Sequence, residues 1–277
     1  MSSPRAPRRP HARLTALRPL HAEWTKLRTL QSSWWLLAAT AVLTVTVGVA
    51  ALSAVGTGAC PSAAACHEDT VKLSLTGVWL GQATALVLGA LLMGAEYGTG
   101  TIRTTLTAMP HRVALLVSKA AVLAAMTAAA GTAAILGSLY AGRLILPGNG
   151  FTPEAGYPLP SLADGPTLRA AFGSVLCLTL TALLGLGLAA LLRDSTGAIT
   201  TGLGLLYAIP LLADLLGDPN WRDRLERWAP MPAGLAVQAT RDLSRLPIGP
   251  WPGLGVLAAY ALGLLLVAGA AFRVRDA

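Results

Sequence analysis

Six long apolar stretches divide the chain, and the polar segments between them differ sharply in length and character. The pattern places spans at about 34–55, 74–95, 115–141, 169–192, 197–217 and 251–272. At 1.5 Å per helical residue each is long enough to cross roughly 30 Å of hydrocarbon. Spans four and five are parted only by Arg193–Thr196, a tight polar hairpin. Ahead of span one, residues 12–32 repeat apolar positions every three or four residues: Leu14, Leu17, Leu20, Trp24, Leu27 and Leu30 share one helical face. Arg13, Arg18, Lys26 and Arg28 occupy the rest. This predicts an amphipathic helix in the headgroup layer, with Trp24 at the interface; the alternative is a soluble helix packed on a partner. Residues 1–11 read as a disordered basic tail, and 33–277 as one transmembrane domain.

The connection 143–168 is rich in proline and glycine and reads as irregular. The segment 218–250 is different. Trp221, Leu225 and Trp228 fall at helical spacing among paired charges, and a mildly apolar stretch, Ala233 to Ala239, follows. That stretch is too short to span, which predicts a short interfacial or re-entrant helix. The expected fold is therefore an all-α integral membrane protein with six transmembrane helices, an interfacial helix before them and a re-entrant element before the sixth.

Composition agrees with the pattern. Of 277 residues, 54% are hydrophobic and 12% charged, and the mean hydropathy is +0.59. A soluble domain carries about twice that charged fraction. The net charge of +8 is concentrated: seven of the 21 Lys/Arg precede residue 29. With the N-terminus inside, the cytoplasmic segments hold thirteen Lys/Arg against four acids, and the outer ones eight against nine. This bias predicts cytoplasmic termini, although five arginines after span five dilute it. No cleavable signal peptide is expected, because the first apolar run is a full span that stays as an anchor. Nucleic-acid binding is not expected, since basic residues are not interleaved with exposed aromatics.

Candidate chemistry is sparse. No phosphate-binding loop, paired zinc-ligand motif or nucleophile elbow occurs, so no catalytic residue, cofactor or metal site is assigned and the chain is not expected to be an enzyme by itself. Cys60 and Cys66 fall in the first outer loop, where a disulfide or two free thiols fit equally; His67 adds only a weak suggestion of a metal site. Cys177 lies mid-span and reads as a packing residue. Ionisable groups are nearly absent from the spans, and Glu96, Lys119, Arg193 and Asp214 lie towards their ends. Asp214, after Pro210, reads as an interface carboxylate beside a kink rather than a proton site.

The most patterned polar segment follows span two: GAEYGTGTIRTTLTAMPHR, Gly94 to Arg112. Together with the six-span layout it resembles the membrane subunit of a type-2, exporter-type ATP-binding-cassette transporter, a bacterial permease family. The resemblance covers essentially the whole chain. Such permeases commonly carry at this place an acid, a glycine–threonine pair, an arginine, and a proline followed by a basic residue. It implies that 97–112 is a coupling helix that docks on a separate cytoplasmic P-loop ATPase. The positions carried over are Glu96, Tyr97, Gly98, Thr99, Thr101, Arg103, Pro110 and Arg112. Thr99 or Thr101 fits a helix cap, Pro110 a helix end, and Glu96 a surface ion pair with Arg103 or Lys119. The resemblance further implies a second six-span permease, identical or sibling, around a shared path in the bacterial cytoplasmic membrane. A non-transporting membrane scaffold or immunity-type binding protein is the alternative, and a secondary transporter a third; the substrate is not legible.

Overall fold

The computed structural model describes residues 24–25, 31–59, 68–101, 112–216 and 219–274. These are helical throughout apart from turns and short connections, with no strand among them. Five spans are single helices: α1 (Gln31–Ala54), α3 (Val78–Gly98), α4 (Arg112–Ile145), α5 (Gly165–Leu192) and α10 (Pro250–Val274). The fifth in order is composite, with α6 (Ser195–Leu203) and α7 (Ile209–Leu216) joined by a π-helical segment, Gly204–Ala208. Between them lie the short α2 (Thr70–Ser74), α8 (Pro219–Trp228) and α9 (Pro230–Leu235). Six helices are long and apolar enough to cross a membrane. The chain is a multi-pass membrane protein.

The helix starts follow from local chemistry. Pro219, Pro230 and Pro250 open α8, α9 and α10, and Pro166 lies in the first turn of α5, where a missing N–H costs no intrahelical bond. Asp69 and Asp194 cap α2 and α6 by accepting the N–H of Lys72 and Gly197. Threonines inside the spans turn their hydroxyls onto their own helix: Thr44 donates to the Thr40 carbonyl at 2.7 Å, Thr127 to Leu123 at 2.8 Å and Thr181 to Cys177 at 2.8 Å. Each polar side chain is thereby satisfied where no water reaches.

Helix α5 is the hub. It is the most enclosed span and packs on α3, α4, α6 and α10, while α1 closes the bundle against α3 and α4. Close approach of α3 and α5 is reciprocal: Gly89 lies on the Ala182 carbonyl and Gly185 on the Leu86 carbonyl, so a side chain at either would strike backbone. The composite span is the least enclosed. Its π segment has a local cause, since Pro210 has no N–H for the Leu206 carbonyl and its ring crowds that turn.

Two ends can be distinguished. Helices α1, α4 and α6 begin at the near end, where Trp34 and Trp35 are exposed. Trp79, Tyr140, Trp228 and Trp251 are exposed towards the far end. Aromatic side chains at both levels match the two interfaces of a bilayer. The far end is built up. There α4 runs four residues beyond the expected 141, two short 3-10 turns follow, and Asn149 donates to the Leu52 and Val55 carbonyls at 2.7 and 3.1 Å, closing the end of α1. Span two begins later than expected, at Val78, because α2 and a turn take up its first residues. The stretch from Ala233 on is α9 and a 3-10 turn, Ala236–Gln238, buried among α5 and α10.

Candidate functional site

At the near end, Glu96 and Tyr97 of α3, Lys119 of α4 and Arg193 of the α5–α6 hairpin lie towards the ends of their helices. Helix α3 runs out at Gly98. The Thr99 N–H and hydroxyl both turn back to the Ala95 carbonyl, at 3.1 and 2.8 Å, and Gly100 takes a left-handed φ of +69°. That conformation ends the helix and favours glycine; nothing lies within 4 Å of where its Cβ would stand, so conformation rather than crowding sets the residue. Thr99 and Thr101 share a hydroxyl contact of 2.9 Å. Thr99 therefore serves the end of α3.

One turn before that end, Glu96 meets Lys119. The Nζ–Oε1 distance is 2.7 Å, and the two side chains are 12% and 1% exposed. This corrects the expectation of a weak surface pair. Lys119 sits two turns inside α4, beside Leu115, Leu116 and Ser118, all buried. A lysine so placed draws on its counter-ion, and in a low-dielectric setting losing that charge costs more than it does at the surface. The pair ties the last turn of α3 to α4, and hence both ends of the polar segment to each other.

The α5–α6 hairpin docks on the same turn. Arg193 ends α5 in a left-handed conformation (φ 58°), its N–H on the Ala189 carbonyl at 2.9 Å, and Asp194 caps α6. Gly94 lies directly under Ser195, with no room for a Cβ. The Tyr97 side chain is half-buried and packs against the apolar core. Its hydroxyl is buried and accepts or donates no hydrogen bond among the described residues.

The structure thus brings together Glu96, Tyr97, Lys119 and Arg193, with Gly98, Thr99 and Thr101 on the adjoining turn. Arg103 and Pro110 lie outside the described residues, and Arg112 opens α4 with only its backbone described. Leu17, Leu20 and Leu27 of the interfacial helix, and Cys60 and Cys66, also lie outside them; Trp24 is described as helical and exposed. The side chain of Asp214 is likewise not described. Two features escaped the sequence reading: the depth of Lys119 and the seat of the hairpin on Gly94. The first had a signal, because Lys119 is embedded in an apolar run, seven residues past Arg112. The second had none that spacing alone reveals.

Among the described residues no three His, Cys, Asp or Glu side chains converge as metal ligands. Chemically, the cluster joins a buried ion pair to a hydrogen-bonded helix end and a closely packed hairpin. No protein-family model matches the chain, and no curated protein matches it.

Proposed function

We propose that the chain is the membrane-spanning permease subunit of an ATP-driven exporter, paired with a second six-span unit and driven by a separate cytoplasmic P-loop ATPase. In this reading it lies in the bacterial cytoplasmic membrane, with the near end and both termini in the cytoplasm, as the excess of Lys/Arg at that end favours. The observation that carries the reading is the buried Glu96–Lys119 pair at 2.7 Å. A simple turn between two spans needs no buried ion pair at its base. A segment that receives force does, because a push on it reaches the spans only if its roots are stiff.

The hairpin adds a second route. Because Gly94 is pressed on Ser195, a displacement of the last turn of α3 reaches α5 and α6 as well as α4. Tyr97, at the root of the segment, follows Glu96 directly on the last turn of α3. The four side chains hold and transmit; they perform no bond chemistry.

The test is biochemical. Tagged protein purified from its own cells in mild detergent is expected to bring down a P-loop ATPase, and adding the permease to that ATPase is expected to change its turnover. If no ATPase co-purifies and turnover is indifferent to the permease, the exporter reading fails. Flux driven by a proton or sodium gradient in vesicles without ATPase would instead favour a secondary transporter.

A further inference from the structure

Towards the far end, α4 and α5 carry the same order of side chains. On α4, Leu136 and Tyr140 are exposed, and the exposed Arg143 follows one turn further out. On α5, which runs the opposite way, the half-buried Leu176 and the exposed Phe172 are followed one turn further out by Arg169. The spacing is four residues and then three on both helices. Each stripe therefore passes from aliphatic to aromatic to guanidinium on its way to the far surface. That is the order in which a bilayer passes from chain to interface to phosphate.

The two stripes line one groove. The helices meet at Gly131, where a Cβ would stand 3.4 Å from Leu178 and 3.8 Å from Val175. At about 100° per residue, Arg143, Leu136 and Tyr140 follow in turn round α4 from the α5 side, before Gly137 reaches Val45 of α1. Round α5 from the α4 side come Leu168, Phe172 and Arg169, before Gly173 reaches Val237. Because the helices run in opposite directions, their right-handed screw turns both stripes to the same side of the pair. Arg143 lies twelve residues outward of Gly131, and Arg169 lies six outward of Val175 and nine outward of Leu178. Their heights then differ by about 5–9 Å, close enough for two long side chains to converge on one group.

Their charges are unmatched. Elsewhere at the far end Arg222 pairs with Glu226 and Arg245 with Asp242, but neither Arg143 nor Arg169 meets an acid among the described residues. Arg169 donates Nη2 to the Ala239 carbonyl at 2.6 Å, while its buried Nε–H finds no acceptor among the described residues. We propose that this groove of α4 and α5 binds one anionic phospholipid of the far leaflet. Arg143 and Arg169 hold its phosphate, and an acyl chain lies along Phe172 and Leu136. A second copy of the chain docked here across a two-fold axis would set arginine against arginine, whereas a lipid answers the apolar stripe and the charge together. The inference rests on the membrane-spanning helices and on no driving ATPase.

The probe is phosphatidylglycerol with a diazirine on one acyl chain, a minor component of phosphatidylcholine vesicles that hold the full chain. After irradiation, lipid adducts are located by peptide mass spectrometry. They are expected on 132–144 and 165–180, and phosphatidylcholine with the same diazirine is expected to label these peptides about fivefold less or weaker still. Arg143→Gln, at an exposed position, should lower the phosphatidylglycerol yield about fivefold, the scale of one basic residue facing an anionic lipid, and Arg143→Lys should keep most of it. Arg169→Gln should act in the same direction; if it does not fold, Arg143 decides alone. Equal labelling by the two lipids overturns the site, as does a yield unchanged by Arg143→Gln. So does an absence of adducts on both helices, the result expected if a second copy of the chain covers the groove.

Discussion

A single lysine shows how position alters the worth of an interaction. At the surface, a Lys–Glu pair contributes well under about 1 kcal/mol. Lys119 is 1% exposed, and there the balance changes: losing Glu96 takes a counter-ion away from a buried cation. Lys119→Met or Glu96→Gln alone is expected to cost about 3–5 kcal/mol, while the double variant recovers part of it, because no charge is then left without its counter-ion. Thermal unfolding of the detergent-solubilised protein, run as a double-mutant cycle, measures this; additive losses would mean that the pair is not coupled. The same cycle read on ATPase turnover separates stability from transmission, since the double variant would be stable yet have lost its charged base. Gly100 makes the complementary point. Its identity was plain in the sequence, but the reason for it, a left-handed φ in open space, is a fact of the backbone.

At the scale of elements, the long helices were legible because hydropathy sums over twenty residues and one misplaced polar side chain barely changes the total. The stretch from Ala233 on was legible too, as an apolar run too short to span. What did not show was everything that depends on one residue meeting another far away in sequence. The docking of Ser195 on Gly94 and the contact of Tyr207 with Trp79 span about a hundred residues or more. Spacing along one helix carries no trace of them. The π segment is an intermediate case. Pro210 announced a kink, but not the change of hydrogen-bond register one turn earlier, nor that the Tyr207 hydroxyl would reach the Trp79 carbonyl at 2.6 Å with the rings edge to face. Pro210→Ala restores the missing N–H, and the composite span is expected to revert to continuous α-helix. Amide hydrogen exchange over 204–212 should then slow by about tenfold, one hydrogen bond's worth; unchanged exchange would assign the π register to packing instead of to the proline.

For the molecule as a whole, burial is unequal. α5 sits in the middle, α3 and α4 lean on it, and the composite span and α10 remain largely uncovered. The near end is drawn tight around Glu96, and at the far end the Asp69 carboxylate accepts from the Thr240 hydroxyl and the Arg241 N–H. The ion pair has a consequence for the integrity of the chain itself. Glu96 and Lys119 bridge the polypeptide across 23 residues, so that between them the backbone forms a loop fastened at its neck. The covalent path from α3 to α4 is then redundant for holding those helices side by side. Two separate polypeptides, 1–105 and 106–277, expressed together in one cell, are expected to assemble and co-purify as the intact chain does. The same two pieces carrying Lys119→Met should still co-purify through the packing of α1 on α4 and α3 on α5, but come apart at a lower temperature than the parent pieces. A gene broken at that point would still make one machine, its halves held by packed helices and pinned at the neck by charge.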